Sequence, residues 1–345
     1  MTTVISTDRA AAVELLRKGE IVALPTETVY GLAADALNPI AVAEIFEAKE
    51  RPRFDPLIVH LPSRDWLAKI ANVPEQNGHL ISKLIDKFWP GPFTIVLPKR
   101  QIVPEIVTAG LDTVAVRISG HPVFSQIIQL FGKPLAAPSA NRFGRVSPTT
   151  AHHVLDELDA RIPLIIDAGP TEHGIESTII SVRENSIDLL RRGPVTAEQL
   201  SEFAKIKLAA STARKISAPG QLPSHYAPRT PLRVVENAES FSPHKNQRVG
   251  LLAWYPVSGK EDLQSAQRRT GDGRSLKFVA VRNLSAHQDL REAAANFFRY
   301  LRELDVLGLD LIVAERVPSR GLGAAILDRL ERASHDQPVA PGMPE

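Results

Sequence analysis

The chain has 345 residues, no cysteine, and 41 Lys+Arg against 39 Asp+Glu. The lack of cysteine excludes disulfide frameworks, thiolate nucleophiles and cysteine zinc sites, and a formal net charge of +2 provides no global field that would attract a nucleic acid. The start of the sequence lacks the pattern of a secretion signal, and no apolar stretch approaches the ~18 residues of a membrane span, so a cytoplasmic protein is expected.

Short apolar runs alternate with helical patterns along most of the chain, which is the order typical of an α/β protein. Strands are predicted at 21–24, 57–61, 93–97, 113–118, 135–137, 164–167, 178–182 and 187–191. Helices are predicted at 8–18, 38–50, 80–88, 122–131, 149–158 and 196–206. Asn38 followed by Pro39 is a strong helix start, and the prolines at 90 and 92 end the helix before them.

The pattern changes between Ala209 and Pro231, where Ala, Ser and Pro dominate. Strands are again predicted at 249–254, 278–281 and 311–314, with a long helix between Leu290 and Leu304. The predicted organisation is therefore a larger α/β domain at 1–207, a linker at 208–231, a small α/β domain at 232–335 and a disordered tail at 336–345. The segment 321–326 lacks the third glycine of a dinucleotide fingerprint and is interpreted as a tight turn into a helix.

A first polar cluster follows the strand predicted at 21–24. It contains a carboxylate, a phenol and two hydroxyls, carried by Glu27, Tyr30, Thr26 and Thr28. Ligands of open α/β sheets bind beyond the carboxyl ends of strands, so this segment is well placed to bind a polar ligand. A turn in which Thr26 and Glu27 cap nearby backbone groups explains the same residues equally well.

A second cluster lies at the end of the helix predicted at 38–50. Lys49 lies seven residues after Val42, on the apolar face of that helix. Its ammonium must reach water or meet an anion, because an unpaired charge in the interior is costly. Arg51 and Arg53 add two cations, and this density of charge suits a polyphosphate. A solvated helix end, favoured by the helix dipole, is the alternative.

A third cluster involves the strand predicted at 113–118. Its period of two places Thr113, Ala115 and Arg117 on one face and apolar residues on the other. An arginine in the middle of a core strand needs an acidic partner. That partner is either a buried Asp or Glu of the protein or the carboxylate of a substrate, and the sequence leaves both open.

Further polar residues follow the strand predicted at 135–137. Small side chains there would let a ligand approach the backbone, and Ser139 and Asn141 can bind phosphate or ribose. Ser147 lies where a helix is expected to begin. Ser139 is not predicted to be a nucleophile, since no histidine stands in a recognisable triad relation to it. The segments 174–178 and 189–194 form a last candidate cluster, for which a hairpin with exposed arginines is the alternative.

The joint occurrence of these clusters, in one order, resembles the YrdC-like family and in particular its two-domain threonylcarbamoyl-AMP synthases. The resemblance covers nearly the whole chain. It depends on PTETVYGL (25–32), FEAKERP (46–52), PLIVH (56–60), WPGP (89–92), TVAVR (113–117), APSAN (137–141), EST (176–178), APG (218–220), HYAP (225–228) and GLGAAI (321–326). The family implies a YrdC-like twisted open mixed sheet with a concave cavity, followed by a smaller Rossmann-like α/β domain.

The resemblance also implies an activity and its residues. Such enzymes combine L-threonine, bicarbonate or CO2 and ATP into L-threonylcarbamoyladenylate, with release of pyrophosphate, as the first step of threonylcarbamoyladenosine formation at tRNA position 37. Lys49 and Arg51 are expected to be catalytic. ATP is expected to contact Lys49, Arg51, Arg53, Thr113, Ser139, Asn141, Ser147, Arg192 and His225. L-Threonine is expected to contact Thr26, His60, Arg117, Ala137 and Ser177.

The expected partners follow from the same resemblance. Mg²⁺ is expected to arrive with ATP rather than in a protein metal site, and the product is expected to pass to the tRNA threonylcarbamoyltransferase machinery, with any role of tRNA indirect. The linker is predicted to be a lid that shields the carbamate from water. Residues 221–224 depart from the Met-Lys-Tyr that relatives commonly carry, and Asp55 stands where relatives usually have Asn.

Two other classes of protein fit parts of the sequence. A double-stranded RNA or tRNA-binding module would need a basic surface, but basic and acidic side chains are nearly balanced in the first 207 residues. A carbamoyl-transfer maturation factor would need cysteine-rich zinc modules, which this chain cannot supply. The synthase is therefore the preferred interpretation.

Overall fold

A computed structural model describes residues 2–208, 225–244, 246–255, 267–269 and 275–334. The chain divides into two compact units. Unit 1 comprises residues 1–143 and 147–222, and unit 2 comprises residues 144–146 and 223–345. Within the described ranges, no helix has both the length and the apolar character needed to cross a membrane.

The described part of unit 1 contains eleven strands and eight α-helices. The strands are β1 Val4–Ser6, β2 Val22–Leu24, β3 Gly31–Asp35, β4 Ile58–His60, β5 Phe93–Pro98, β6 Thr113–Arg117, β7 Leu135–Ala136, β8 Leu164–Ile166, β9 Thr178–Arg183, β10 Ser186–Arg191 and β11 Lys205–Leu208. The helices are α1 Arg9–Arg17, α2 Pro39–Lys49, α3 Leu67–Ile70, α4 Gly78–Phe88, α5 Glu105–Thr108, α6 Pro122–Phe131, α7 Ala151–Leu158 and α8 Ala197–Ser201.

All eleven strands join in one mixed sheet, in the order β1-β8-β2-β3-β7-β4-β6-β5-β9-β10-β11. The central strands β4 and β6 are parallel, and their outer neighbours β7 and β5 run antiparallel to them. Because β9 is parallel to β5, the carboxyl ends of β4 and β6 lie at the same end of the sheet as the beginning of β9. The mixed α/β class predicted from the sequence is confirmed.

The two faces of this sheet are covered differently. One face belongs to the main hydrophobic core, which includes Val59, Val116 and Ile180. On the other face, α1 and α6 pack on β2, β3, β7 and β8 through a second core. Among the described residues, the remainder of this second face carries an apolar cluster of four buried side chains: Ile58, Val96, Ala115 and Ile179. Polar residues fill the rest, as described below.

Unit 2 has its own small sheet. The strands β12 Leu232–Val235, β13 Val249–Ala253, β16 Ala280–Asn283 and β17 Leu311–Glu315 are parallel, in the order β12-β17-β13-β16. A separate antiparallel pair is formed by β14 Gln267–Arg269 and β15 Ser275–Lys277, and the helices are α9 Leu290–Asp305 and α10 Leu322–Ser334. A Cβ atom on Gly323 would lie 1.9 Å from the carbonyl oxygen of Pro318, so close packing at the start of α10 explains this glycine.

Several element predictions need correction. The helix predicted at 196–206 is wrong in its second half, because α8 ends at Ser201 and β11 pairs in parallel with β10. Pairing at the sheet edge outweighs the local helical pattern there. The sequence patterns also fail to predict β1, β3 and β12. The strand β3, with the sequence GLAAD, is buried along its whole length but is rich in residues of low strand propensity.

The predicted domain boundaries remain predictions. Most of the predicted linker, at 209–224, and the predicted tail at 336–345 lie outside the described residues.

Candidate active site

The site is built on the second face of the central strands. His60 of β4 pairs in register with Arg117 of β6, and Ile58 pairs with Ala115. Residues paired in this way share one face of a sheet. The side chains of His60 and Arg117 therefore lie side by side on the second face, on the part that carries the four-residue apolar cluster.

Lys49 lies in the last turn of α2, which begins with Asn38 as its N-cap and Pro39 as its first residue. The predicted inward position of Lys49 is confirmed, since only 1% of the residue is exposed. Its Nζ donates to the carbonyl oxygen of Ser139 at 2.6 Å and to that of Asn141. Burial, with the Arg51 charge nearby, holds the pKa of Lys49 well below its usual value. The segments 49–51 and 139–141, which contain four of the predicted ATP contacts, are thus in direct contact.

Arg51 is buried beside Asp55 just after α2. Its Nη2 lies 2.8 Å from Oδ2 of Asp55, and the same nitrogen donates to the carbonyl oxygen of Pro56 at 2.9 Å. The guanidinium also lies 6.0 Å from the centre of the Phe143 ring. Burial raises the pKa of Asp55, although the charges of Arg51, Lys49 and Arg191 act in the opposite direction. Arg51 therefore contacts a buried carboxylate on which the charges of Lys49 and Arg191 also act. We refer to the three basic side chains Lys49, Arg51 and Arg191, together with the Asp55 carboxylate on which they act, as the cation cluster.

Arg117 has a partner within the protein. Its Nη2 lies 2.5 Å from Oε1 of Glu27, and its Nη1 donates to Oγ1 of Thr28 at 3.2 Å. The Ser119 hydroxyl donates to the other oxygen of Glu27 at 2.5 Å. Of the two partners that the sequence leaves open for Arg117, the structure contains the buried carboxylate. The Nε atom of Arg117 is buried and has no hydrogen-bond partner among the described residues.

His60 and Thr26 adjoin this ion pair in different ways. His60 is buried, and burial together with the Arg117 charge lowers its pKa to about 3, so its ring is neutral. Its Nδ1 atom finds no hydrogen-bond partner in the described ranges. The Thr26 hydroxyl donates to the carbonyl oxygen of Val29 at 2.7 Å and accepts from the backbone N–H groups of Thr28 and Val29. The turn interpretation of residues 25–31 therefore describes Thr26 well.

Ser177 lies just before β9, on the same face. Its hydroxyl is 2.8 Å from that of Thr94, and Nη2 of Arg191 donates to it at 3.0 Å. Arg191 also donates through Nε to the carbonyl oxygen of Ser177 at 2.9 Å. A hairpin with exposed arginines, the alternative for segment 189–194, does not describe Arg191, of which only 8% is exposed.

The other predicted site residues of unit 1 vary in position. Ala137 adjoins the site, since its N–H donates to the Ile58 carbonyl oxygen at 3.0 Å. Ser147 is buried and donates to the carboxylate of Glu176. Thr113 begins β6, at the opposite end of the strand from Arg117. The remaining two predicted residues are Arg53, which is exposed, and Arg192, which is half-buried.

His225 belongs to unit 2. Its N–H donates to the carbonyl oxygen of Arg332 at 3.3 Å, and its ring lies edge-on to that of Tyr226 at 4.1 Å. Tyr226 has a φ angle of 65°, a left-handed conformation that is unusual for an aromatic residue. The predicted contact between His225 and ATP stays a prediction.

Three residues of the site are absent from the sequence-based assignments: Arg191, Ser119 and Asp55 as a partner of Arg51. The period of β10 predicts only that Arg191 is buried, like Leu189 and Ile187, because a register shift between Leu189 and Arg191 is what brings its side chain to Ser177. Ser119 and Asp55 carry no such signal. Their roles depend on contacts that side chains make after folding.

The ion pair of Glu27 has a measurable consequence for stability. Burial alone would raise the pKa of Glu27, but Arg117 and the Ser119 hydroxyl outweigh it and lower the pKa to about 2 from 4.5. Ionised Glu27 therefore stabilises the fold above pH 4.5, and we expect this contribution, about 3 kcal/mol, to disappear as the pH falls towards 2. Urea unfolding across this pH range should show a smaller loss in Glu27→Gln than in the wild type. Equal losses would contradict the prediction.

Known proteins match this chain along almost its whole length. The Sua5/YciO/YrdC family model, described as telomere recombination, matches residues 14–193, and a model described as the C-terminal domain of threonylcarbamoyl-AMP synthase matches residues 195–335. Curated threonylcarbamoyl-AMP synthases of Pyrococcus abyssi and Bacillus subtilis are 40% and 39% identical over 94% of this chain. The matches cover 93% and 92% of those two proteins.

A solved structure extends the comparison to the fold. The crystal structure of P. abyssi Sua5 complexed with L-threonine matches with a TM-score of 0.81 and 37% identity, over 96% of this chain and 97% of that chain. The class of protein is thus defined by two features. The first unit has a large mixed sheet with buried polar and charged side chains on one face, and the second unit has a parallel sheet. The chain belongs to the Sua5/YciO/YrdC family. Its similarity to the threonylcarbamoyl-AMP synthases extends over both units, so the predicted resemblance is confirmed.

Proposed function

We propose that the protein is an enzyme that joins L-threonine, bicarbonate or CO2, and ATP into L-threonylcarbamoyladenylate and releases pyrophosphate. The observation that carries this proposal is the 40% identity to the P. abyssi threonylcarbamoyl-AMP synthase over 94% of this chain. The arrangement of unit 1 supports it, since a cation cluster and a buried polar face suit the phosphates and the amino acid respectively.

The chemistry needs no covalent bond to the protein. The threonine nitrogen bonds to the carbon of CO2 and loses a proton to solvent, which gives a carbamate. A carbamate oxygen then bonds to the α-phosphorus of ATP, while the bond from that phosphorus to the pyrophosphate oxygen breaks. The protein contributes positioning and electrostatic stabilisation of the leaving pyrophosphate, through Lys49 and Arg51. Phosphate charge beside Lys49 would favour the charged ammonium and so oppose the effect of burial on its pKa.

The polar sheet face is the proposed site of the amino acid. Arg117 already uses two of its nitrogens within the protein, and its buried Nε is proposed to bind the threonine carboxylate. Neutral His60 presents Nδ1 beside it and is proposed to accept a hydrogen bond from the substrate. The other proposed contacts to threonine are Thr26, Ala137 and Ser177.

The remaining assignments concern partners. In the described part of the chain, no group of three or more His, Asp or Glu side chains could hold a metal ion. We therefore propose that Mg²⁺ enters bound to the ATP phosphates. The product is proposed to pass to a tRNA threonylcarbamoyltransferase in the cytoplasm, and the linker with His225 to act as a lid over the labile carbamate.

The activity can be tested with purified protein. We expect pyrophosphate release that requires threonine, bicarbonate and ATP together, and a product with the mass of threonylcarbamoyladenylate. Omitting each substrate in turn is the control. Pyrophosphate release that is independent of threonine would contradict the proposal. So would salt-sensitive binding of double-stranded RNA without any pyrophosphate release, which is what an RNA-binding module would show.

A further inference from the structure

Asp55 is a member of the cation cluster that the proposed function leaves without a role. It is 1% exposed, and its Oδ2 atom lies 2.8 Å from Nη2 of Arg51. Its Oδ1 atom is buried and has no hydrogen-bond partner within the ranges that the structure describes. The charges of Lys49 and Arg191 also act on this carboxylate. One negative group therefore stands among the cations proposed to bind phosphate.

This arrangement is costly unless something else enters the site. A buried carboxylate oxygen without a donor loses its hydration and gains nothing in return. The carboxylate would also repel the phosphates that the surrounding cations attract. The ion pair with Arg51 places a positive charge 2.8 Å from Oδ2, but neither oxygen of Asp55 accepts a hydrogen bond within the described residues. A divalent cation between Asp55 and the phosphates would satisfy both, since Mg²⁺ in nucleotide sites is bound by one or two carboxylates together with phosphate oxygens and water.

We propose that Asp55 is the protein ligand of the Mg²⁺ that ATP brings into the site, through its buried Oδ1 atom. The inference rests on the proposed function, because it takes ATP as the nucleotide. Asp55 then makes the site select magnesium-bound ATP over metal-free ATP. Since the described residues contain no group of three potential metal ligands, phosphate oxygens and water supply the rest of the coordination.

The selection can be measured by calorimetry. ATP is titrated into the full-length protein with excess Mg²⁺ and, separately, with a chelator. The wild type should prefer the magnesium form. Even outer partners of metal ligands are worth 10–100-fold in affinity, so Asp55→Ala should reduce this preference by about 10-fold or more. Asp55→Asn preserves the shape of the side chain and should reduce the preference for magnesium-bound ATP by a smaller factor. This variant replaces the alanine variant in the test if the alanine variant does not fold.

Asp35 offers a matched control in the same unit. It is also buried and forms an ion pair, with Lys133 at 3.0 Å, but it belongs to β3 and is not part of the cation cluster. Asp35→Asn should leave the preference for magnesium-bound ATP unchanged. A loss of preference in this variant equal to that in Asp55→Ala would overturn the assignment, because it would show that any buried carboxylate has the same effect.

A second readout locates the metal directly. Crystals grown with Mn²⁺ and a non-hydrolysable ATP analogue should give an anomalous peak bonded to the Asp55 carboxylate. A peak bonded to phosphates and water alone, or a full preference for magnesium in both Asp55 variants, would overturn the proposal and leave Asp55 as the ion-pair partner of Arg51. A wild type that binds neither form of ATP would instead overturn the proposed function, and the assignment of Asp55 with it.

Discussion

Replacing Lys49 by methionine is expected to reduce adenylate formation by about 100-fold or more, because a single well-placed donor at developing charge is worth this much. Methionine retains most of the length of the side chain and removes the ammonium. The rate of pyrophosphate release at saturating ATP and threonine is the measurement. The reduction should appear in kcat, since the ammonium is expected to interact most strongly with the charge that develops on the leaving pyrophosphate.

The Lys49 variant needs a control for folding. Lys49 donates to the carbonyl oxygens of Ser139 and Asn141, so its removal leaves two buried acceptors without this donor. Circular dichroism and urea unfolding will show whether the fold persists. Lys83→Met is the matched substitution, since Lys83 is exposed on α4, and it should retain wild-type activity. A folded Lys49→Met protein with wild-type activity would contradict the assignment of this residue.

The Arg117 ion pair leads to the second large effect. Removing one partner of a buried pair leaves the other charge uncompensated, so Arg117→Met is expected to lower the free energy of unfolding by about 3–5 kcal/mol. The same change removes the proposed clamp for the threonine carboxylate and should raise the KM for threonine by at least about 10-fold. Urea unfolding and initial-rate kinetics measure the two effects separately.

A double variant distinguishes a structural role of Arg117 from a role in substrate binding. Combining Arg117→Met with Glu27→Gln removes both charges, and the free energy of unfolding should recover much of its loss. The KM for threonine should remain raised, because no cation has been restored. If the KM recovered together with the stability, Arg117 would serve the fold alone.

Predictions that depend on local spacing were reliable in this chain. The cap at Asn38 and Pro39 identifies the start of α2, and a seven-residue offset from Val42 identifies Lys49 as inward-facing. The cap depends on two adjacent residues and the offset on the period of a helix, so neither needs knowledge of the rest of the chain. The failures have a physical cause as well. The residues at 205–208 form a strand because β10 offers a free edge, and no local pattern reports that edge.

The amino-acid sequence by itself therefore determined the α/β class, the two-part organisation and the segments that carry polar chemistry. The tertiary structure decided which of those segments meet. Arg117 finds Glu27 across 90 residues of chain, and Lys49 finds the carbonyl oxygen of Asn141 across 92. Such contacts follow from strand order and register, which juxtapose distant segments, whereas periodicity reports only the neighbours along one element. For the same reason the buried, unpartnered oxygen of Asp55 within the described chain could be recognised only after folding buried it beside Arg51.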